Sequence, residues 1–102
     1  MSDLHEPTRD EITLPAVMAA LADPVRVAIL RTLAEQGEVV CGTLDVGVAK
    51  ATRSHHLRVL REAGVTRTRP EGTRRHVSIR RDDLDARFPG LLDALLAAAA
   101  QR

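Results

Sequence analysis

The chain has 102 residues, 44% hydrophobic and 28% charged, with a net charge of +1; this suffices for one small globular domain and excludes most multi-domain enzymes. Six glycines and five prolines exclude a fibrous repeat and wholesale disorder. With one Phe (Phe88), no Trp and no Tyr, the core must come from Leu, Val, Ile and Ala, which favours helices.

Residues 1–12 are polar and acidic with Pro7, and are expected to form a flexible arm. Thr13 reads as an N-cap, after which Leu14, Val17, Met18 and Leu21 repeat at i, i+3, i+4 and i+7 as a first amphipathic helix. Asp23-Pro24 is a second cap and start, and Val25, Ala28, Ile29 and Leu33 trace one stripe as far as Gly37. Glu38 to Cys41 suits a short extended piece, and Thr43 to Val46 leaves room for one helical turn. From Lys50 the pattern is helical again, with Leu57, Leu60 and Ala63 on one side and Gly64 just past the end. The period then changes to two. Val65 to Arg69 and His76 to Arg80 alternate around Pro70-Glu71-Gly72-Thr73, the signature of a β-hairpin with Arg74 and Arg75 beside its tip. A last helical segment starts at Asp82-Asp83-Leu84, is kinked or broken at Pro89-Gly90, and continues through Leu91, Leu92, Leu95, Leu96 and four alanines. The expected organisation is therefore an arm (1–12), one domain (13–99) and a tail (100–102).

Charge is segregated along this order. Residues 1–49 hold three arginines against eight acids (net −5), residues 50–81 ten Lys/Arg against two acids (+8), and residues 82–102 two against four (−2). Such a block is either a solvated basic face or a surface for a polyanion, phosphate being the usual one. The apolar run Leu91 to Ala100 is interrupted by Asp93 and is too short for a bilayer span, so no membrane helix is expected. The acidic start shows no apolar signal segment, and the single Cys41 cannot form an intramolecular disulfide; both point to the cytoplasm.

Helix, helix, short helix, basic helix, basic hairpin and terminal helix is the order of a winged helix-turn-helix. At the residue level, Leu21-Ala22-Asp23-Pro24-Val25-Arg26, then Ser54-His55-His56-Leu57-Arg58-Val59-Leu60-Arg61-Glu62-Ala63-Gly64, then Glu71-Gly72-Thr73-Arg74 resemble the ArsR/SmtB family of bacterial repressors over roughly residues 14 to 99. The resemblance implies a mainly α fold with a small β-hairpin (α-α-α-α-β-β-α), dimerising through its first and last helices. It also implies a homodimeric repressor that binds a palindromic double-stranded operator and is released by a small inducer, often a metal ion.

A helix about 10–12 Å wide fits the major groove, and spacing chooses its reading face. Ala51, His55 and Arg58 share a stripe and Thr52 lies three before His55, which makes Lys50, Thr52, Ser54, His55 and Arg58 candidates to touch DNA. His56 shares a side with Leu60 and either hydrogen-bonds near the core or, as the family's S-x-H-L pattern implies, lies close to the DNA backbone. Arg69, Arg74 and Arg75 stand where a hairpin tip enters a minor groove or grips phosphates. Two positions depart from the family pattern: Ala49 replaces a Ser or Thr cap, and Arg53 replaces an aliphatic residue, either snorkelling from the edge or adding a phosphate contact.

The family's Cys-Val-Cys metal site maps onto Val40-Cys41-Gly42, which lacks both thiols, and no His follows His76 to build the site at the last helix. No metal or cofactor is therefore expected, and the inducer is an unassigned small molecule or a redox signal. Cys41 is a buried small hydrophobe, a redox sensor, or one ligand per protomer. Leu91, Leu92, Leu95 and Leu96 make the terminal helix apolar around too much of its circumference for a monomer, and Leu14, Val17 and Met18 offer it a partner surface. From another class, the basic face could serve a winged-helix interaction module for structured RNA or an acidic protein. An enzyme is not expected, because Ser54, His55 and His56 diverge around a helix and no phosphate loop or acid pair is visible.

Overall fold

The computed structural model describes residues 4–101. Its first two helices begin where a side-chain oxygen reaches first-turn amides. Thr13 Oγ1 accepts from the Ala16 N–H at 3.3 Å and opens α1 (Leu14–Ala20), with Pro15 in the first turn. The Asp23 carboxylate accepts from the N–H groups of Val25 (2.8 Å) and Arg26 (3.3 Å) and opens α2 (Pro24–Gln36), Pro24 occupying the position where a missing N–H costs nothing.

The next stretch differs from the sequence expectation. β1 (Val39–Val40) leads into a single 3-10 turn at Cys41–Thr43, closed by Thr43 Oγ1 donating to the Val40 carbonyl at 2.8 Å. No helical turn forms at 43–46, because Leu44 leaves the turn in an extended conformation and inserts its side chain into the core. α3 (Lys50–Glu62) then starts after Ala49 without any side-chain cap. It ends in a paired closure: the Gly64 N–H donates to the Arg61 carbonyl and the Val65 N–H to the Leu60 carbonyl, both at 3.0 Å, with Gly64 at φ +87°.

β2 (Thr66–Glu71) and β3 (Arg74–Ile79) form the hairpin, in the register Thr66 opposite Ile79 and Glu71 opposite Arg74. The turn is shorter than expected. Only Gly72 and Thr73 lie between the strands, Gly72 at φ +60° supplying the conformation that a two-residue turn demands. Pro70 is tolerated inside β2 because that strand is paired on one side only. β1 adds to the opposite edge of β3, Val39 facing Val77, so the hairpin belongs to a three-stranded antiparallel sheet in the order β1-β3-β2. The terminal segment is two helices, α4 (Arg81–Arg87) and α5 (Leu91–Ala99), broken at Phe88 to Gly90.

Aliphatic side chains fill the core: Ile29, Leu30 and Leu33 of α2 meet Leu57 and Leu60 of α3, with Val17, Val77, Leu84 and Leu92 around them. Residues 4–12, the described part of the stretch read as an arm, lie along the domain and are fastened to it. Glu6 accepts from the Thr68 N–H at 2.7 Å, the Pro7 carbonyl from Arg80 at 2.6 Å and the Ile12 carbonyl from Arg87 at 2.7 Å, while the Ile12 side chain is buried. Asp83 gathers three arginines from different segments: Arg9 (2.7 Å), Arg80 (2.8 Å) and Arg67 (3.2 Å).

Two stability predictions follow from these contacts. A Cβ on Gly64 would stand 2.5 Å from Ile12 Cγ1 in addition to the left-handed strain, so Gly64→Ala is expected to cost about 2–4 kcal/mol, read as a lowered urea midpoint. Hydrogen bonding from Arg9, and then from Arg80, holds the Asp83 carboxyl below the usual carboxylate range against the opposing push of burial. A depressed folded-state value means that this stabilisation is complete above the unfolded value of about 3.9 and disappears as pH falls through the folded one. Asp83→Asn leaves Arg80, only 5% exposed, without its counter-charge. It should cost about 3 kcal/mol at pH 7, with the gap to the parent protein narrowing as acid titration proceeds below about pH 4.

Candidate nucleic-acid interface

α3 presents two chemically different sides. Leu57 and Leu60 face the core, whereas Lys50, Thr52, Ser54, His55 and Arg58 are exposed along the other side, as the helical spacing requires. The hairpin tip stands beside this face, with Arg74 and Arg75 exposed on β3. Between α3 and β3 lies a cleft of about 530 Å³ whose walls include Ser54, His55 and Arg58 of the helix, Arg75 of the strand and Leu4 of the N-terminal segment.

The orientation of α3 is set by one hydrogen-bonded pair. Arg26, two residues after the Pro24 that starts α2, sends its Nε to the Ala20 carbonyl at the end of α1 and its Nη1 to His56 Nδ1 at 3.0 Å. A guanidinium only donates, so His56 Nδ1 accepts and its ring proton resides on Nε2. His56 is 8% exposed, so this histidine holds α3 against α2 from inside while its neighbour His55 faces outward.

Arg53 also turns inward: its Nη1 donates to the Leu44 carbonyl at 3.2 Å, tying the first turn of α3 to the preceding loop. Arg69 is engaged as well. Its guanidinium meets Glu38 at 2.7 Å and Glu71 at 3.4 Å, and this hydrogen bonding holds the Glu38 carboxyl below its usual range while raising Arg69. His76 lies between the same two glutamates, 3.7 Å from Glu38 and 3.1 Å from Glu71. The structure thus brings Ser54, His55, Arg58 and Arg75 together on one cleft and leaves Lys50, Thr52 and Arg74 exposed, whereas His56 and Arg53 turn into internal contacts and Arg69 is held in a surface ion pair.

Arg61 escaped the sequence reading although it lies on the same stripe as Ser54 and Arg58, at i, i+4 and i+7. Its side chain lines the cleft yet is only 9% exposed. Leu4 was missed because nothing local in the sequence places the N-terminal segment beside α3. Among the described residues, no group of three or more His, Cys, Asp or Glu side chains is arranged to hold a metal ion, and Cys41 packs half-buried against the core.

Of the seven residues expected to face a partner protomer, Leu14 (45% exposed) and Met18 (47%) are open on α1, and Leu91, Leu95 and Leu96 are half-buried on α5. Val17 and Leu92 are taken up by the core of their own chain.

An exposed polar helix held at a fixed angle beside a basic hairpin defines a winged helix-turn-helix DNA-binding regulator. A helix-turn-helix domain family matches residues 21–69. The chain is 40% identical over 82 residues to the uncharacterized HTH-type transcriptional regulator YceK of Bacillus subtilis (strain 168), covering 78% of this chain and 82% of that protein. It is similar to the crystal structure of a possible transcriptional regulatory protein from Mycobacterium bovis, with a TM-score of 0.69, 32% identity, and coverage of 86% of this chain and 91% of that one. The fold is also that of an ArsR family transcriptional regulator, with a TM-score of 0.63 at 22% identity over 96% of this chain and 100% of the other. The chain belongs to the HTH-type transcriptional regulators and has the fold of an ArsR family regulator, so the resemblance carried by its motifs is borne out. Its class is non-enzymatic, and no helix among the described residues is long and apolar enough to cross a membrane.

The Arg26–His56 pair can be tested by a double-mutant cycle. Arg26→Met and His56→Ala should each destabilise the fold by about 1–3 kcal/mol. The double variant should fall short of their sum by about 1 kcal/mol in chemical denaturation, and strict additivity would refute the coupling.

Proposed function

We propose that the chain acts in the cytoplasm as a homodimeric repressor that binds a palindromic double-stranded operator and is released by a small inducer. The observation that carries this reading is the cleft that the exposed Ser54, His55 and Arg58 of α3 share with Arg75 of β3, beside a hairpin tip that also exposes Arg74. In the major groove, Thr52, Ser54 and His55 meet base edges, while Lys50 at the start of α3 and Arg58 further along it neutralise phosphates. The wing arginines Arg74 and Arg75 grip the backbone or the adjacent minor groove.

Dimerisation rests on area. Leu14 and Met18 are the large hydrophobic side chains left exposed, and an apolar groove of about 280 Å³ between α2 and α5, lined by Leu21, Leu30 and Leu95, continues the same kind of surface. Covering these side chains with a second copy recovers about 25 cal/mol per Å² of apolar surface before the cost of association. A twofold axis then presents two α3 helices to successive major grooves, and the operator mirrors that symmetry.

Four cations per protomer, Lys50, Arg58, Arg74 and Arg75, predict for a dimer a slope of about −7 in a plot of log affinity against log salt. Arg74→Ala or Arg75→Ala should weaken binding to all duplexes alike and reduce that slope by about 2, whereas His55→Ala should alter preference at a single half-site position by about 1–3 kcal/mol. Selection of bound fragments from random duplexes supplies the operator for these measurements. A salt-independent affinity, or tighter binding to structured RNA or an acidic peptide than to any selected duplex, would overturn the reading.

A further inference from the structure

Arginines that fold inward in this protein find at least one acceptor, with one exception, although the Nε of Arg53, like that of Arg61, has none. Arg80 has Asp83 and the Pro7 carbonyl, Arg53 has the Leu44 carbonyl, and Arg26 has the Ala20 carbonyl and His56. Arg61 is nine-tenths buried, yet its Nε is a buried donor without a partner, and no ion pair joins the side chain to a carboxylate among the described residues. A guanidinium keeps its charge when buried, and a buried donor with no acceptor is destabilising. Such a group marks a place where an acceptor from outside belongs.

The surroundings say what kind of acceptor. Arg61 lines the 530 Å³ cleft together with Arg58 from the same helix and Arg75 from β3, and with the Ser54 hydroxyl and the His55 ring. Among the described residues, Glu62 is the one carboxylate on these walls. Three guanidinium groups therefore face one acid across a space open to solvent. Donors arriving from two elements suit a tetrahedral anion with several acceptor oxygens better than a carboxylate with two.

We propose that the cleft between α3 and β3 is an oxyanion site for a phosphate group, with Arg61 as its innermost donor and Arg58 and Arg75 as its outer ones. The phosphate comes either from the backbone of a bound duplex or from a free phosphate in solution. Its walls overlap the proposed DNA interface, but binding of free phosphate requires no operator and so stands or falls separately.

Calorimetric titration of inorganic phosphate into the DNA-free protein, against chloride at matched ionic strength, is the direct test. Saturable binding of one phosphate per protomer is expected. Arg61→Gln should weaken it about tenfold, and Glu62→Gln, which removes the opposing charge, should strengthen it severalfold. A purely structural Arg61 would leave phosphate affinity unchanged in folded Arg61→Gln. If Arg61→Gln loses its circular dichroism, the exposed Arg75→Gln carries the comparison, with the same direction expected.

Duplex titrations distinguish the two sources. Competition between phosphate and duplex, together with a salt slope reduced by about 1 per protomer in Arg61→Gln, identifies the DNA backbone as an occupant. Phosphate binding without competition, and an unchanged slope, identifies a free phosphate. Loss of slope in Arg61→Gln without measurable free phosphate binding assigns the site to the backbone alone. Phosphate indistinguishable from chloride, combined with an unaltered slope in folded Arg61→Gln and Arg75→Gln, overturns the proposal.

Discussion

The placement of α3 depends on one guanidinium. Arg26 joins the end of α1 to α3 through the Ala20 carbonyl and His56 Nδ1, while its own backbone N–H is held by Asp23. Leu57 and Leu60 of α3 supply burial against the core, but burial is non-directional and would accept small rotations of the helix. A hydrogen bond with a defined tautomer does not. It adds a directional contact to the side that helical spacing and burial already turn inward, with His56 on the inner side and His55 exposed. The adjacent histidines thereby acquire opposite tasks.

The basic block that stood out along the chain divides in the same way. Of its ten Lys and Arg residues between 50 and 81, half are engaged by other groups of the chain: Arg53 with the Leu44 carbonyl, Arg67 and Arg80 with Asp83, Arg69 with Glu38 and Glu71, and Arg81 with Asp85 and Asp93. These pairs spread over the sheet, α4 and α5. Lys50, Arg58, Arg61, Arg74 and Arg75 have no ion pair among the described residues, and they belong to the helix-and-wing side. The acids of the flanking segments thus neutralise positive charge away from the cleft and leave it standing where a polyanion would dock. Net charge near zero is compatible with strong local potential for this reason.

Features written into a few consecutive residues were legible in the sequence. Thr13 and Asp23 marked helix starts, Gly64 an end, and the alternation around Gly72 a hairpin, because caps and turns are local chemistry. The outward stripe of α3 followed from helical spacing alone. What escaped were contacts between segments distant in the chain. β1 pairs with β3 across 38 residues in its Val39–Val77 register, and its two residues carry no period of their own. Arg69 was read as a free wing cation because Glu38 reaches it from β1's leading edge, 31 positions away. The N-terminal stretch looked frayed by composition, yet its anchors, Thr68, Arg80 and Arg87, are all more than 60 residues downstream.

The scarcity of aromatic side chains narrows the kind of nucleic acid that such a surface can read. Single strands are held by stacking bases on Tyr, Trp or Phe, with the backbone tracked by cations. The one Phe of this chain, Phe88, sits half-buried between α4 and α5 against the core, with Arg87 over its ring. The exposed face of α3 and the wing instead offer hydroxyls, an imidazole, an ammonium and guanidinium groups. These are donors and point charges suited to base edges in a groove and to phosphates spaced along two rails. Stacked base pairs hide their faces and expose their edges, so a surface of this composition matches a duplex better than a single strand.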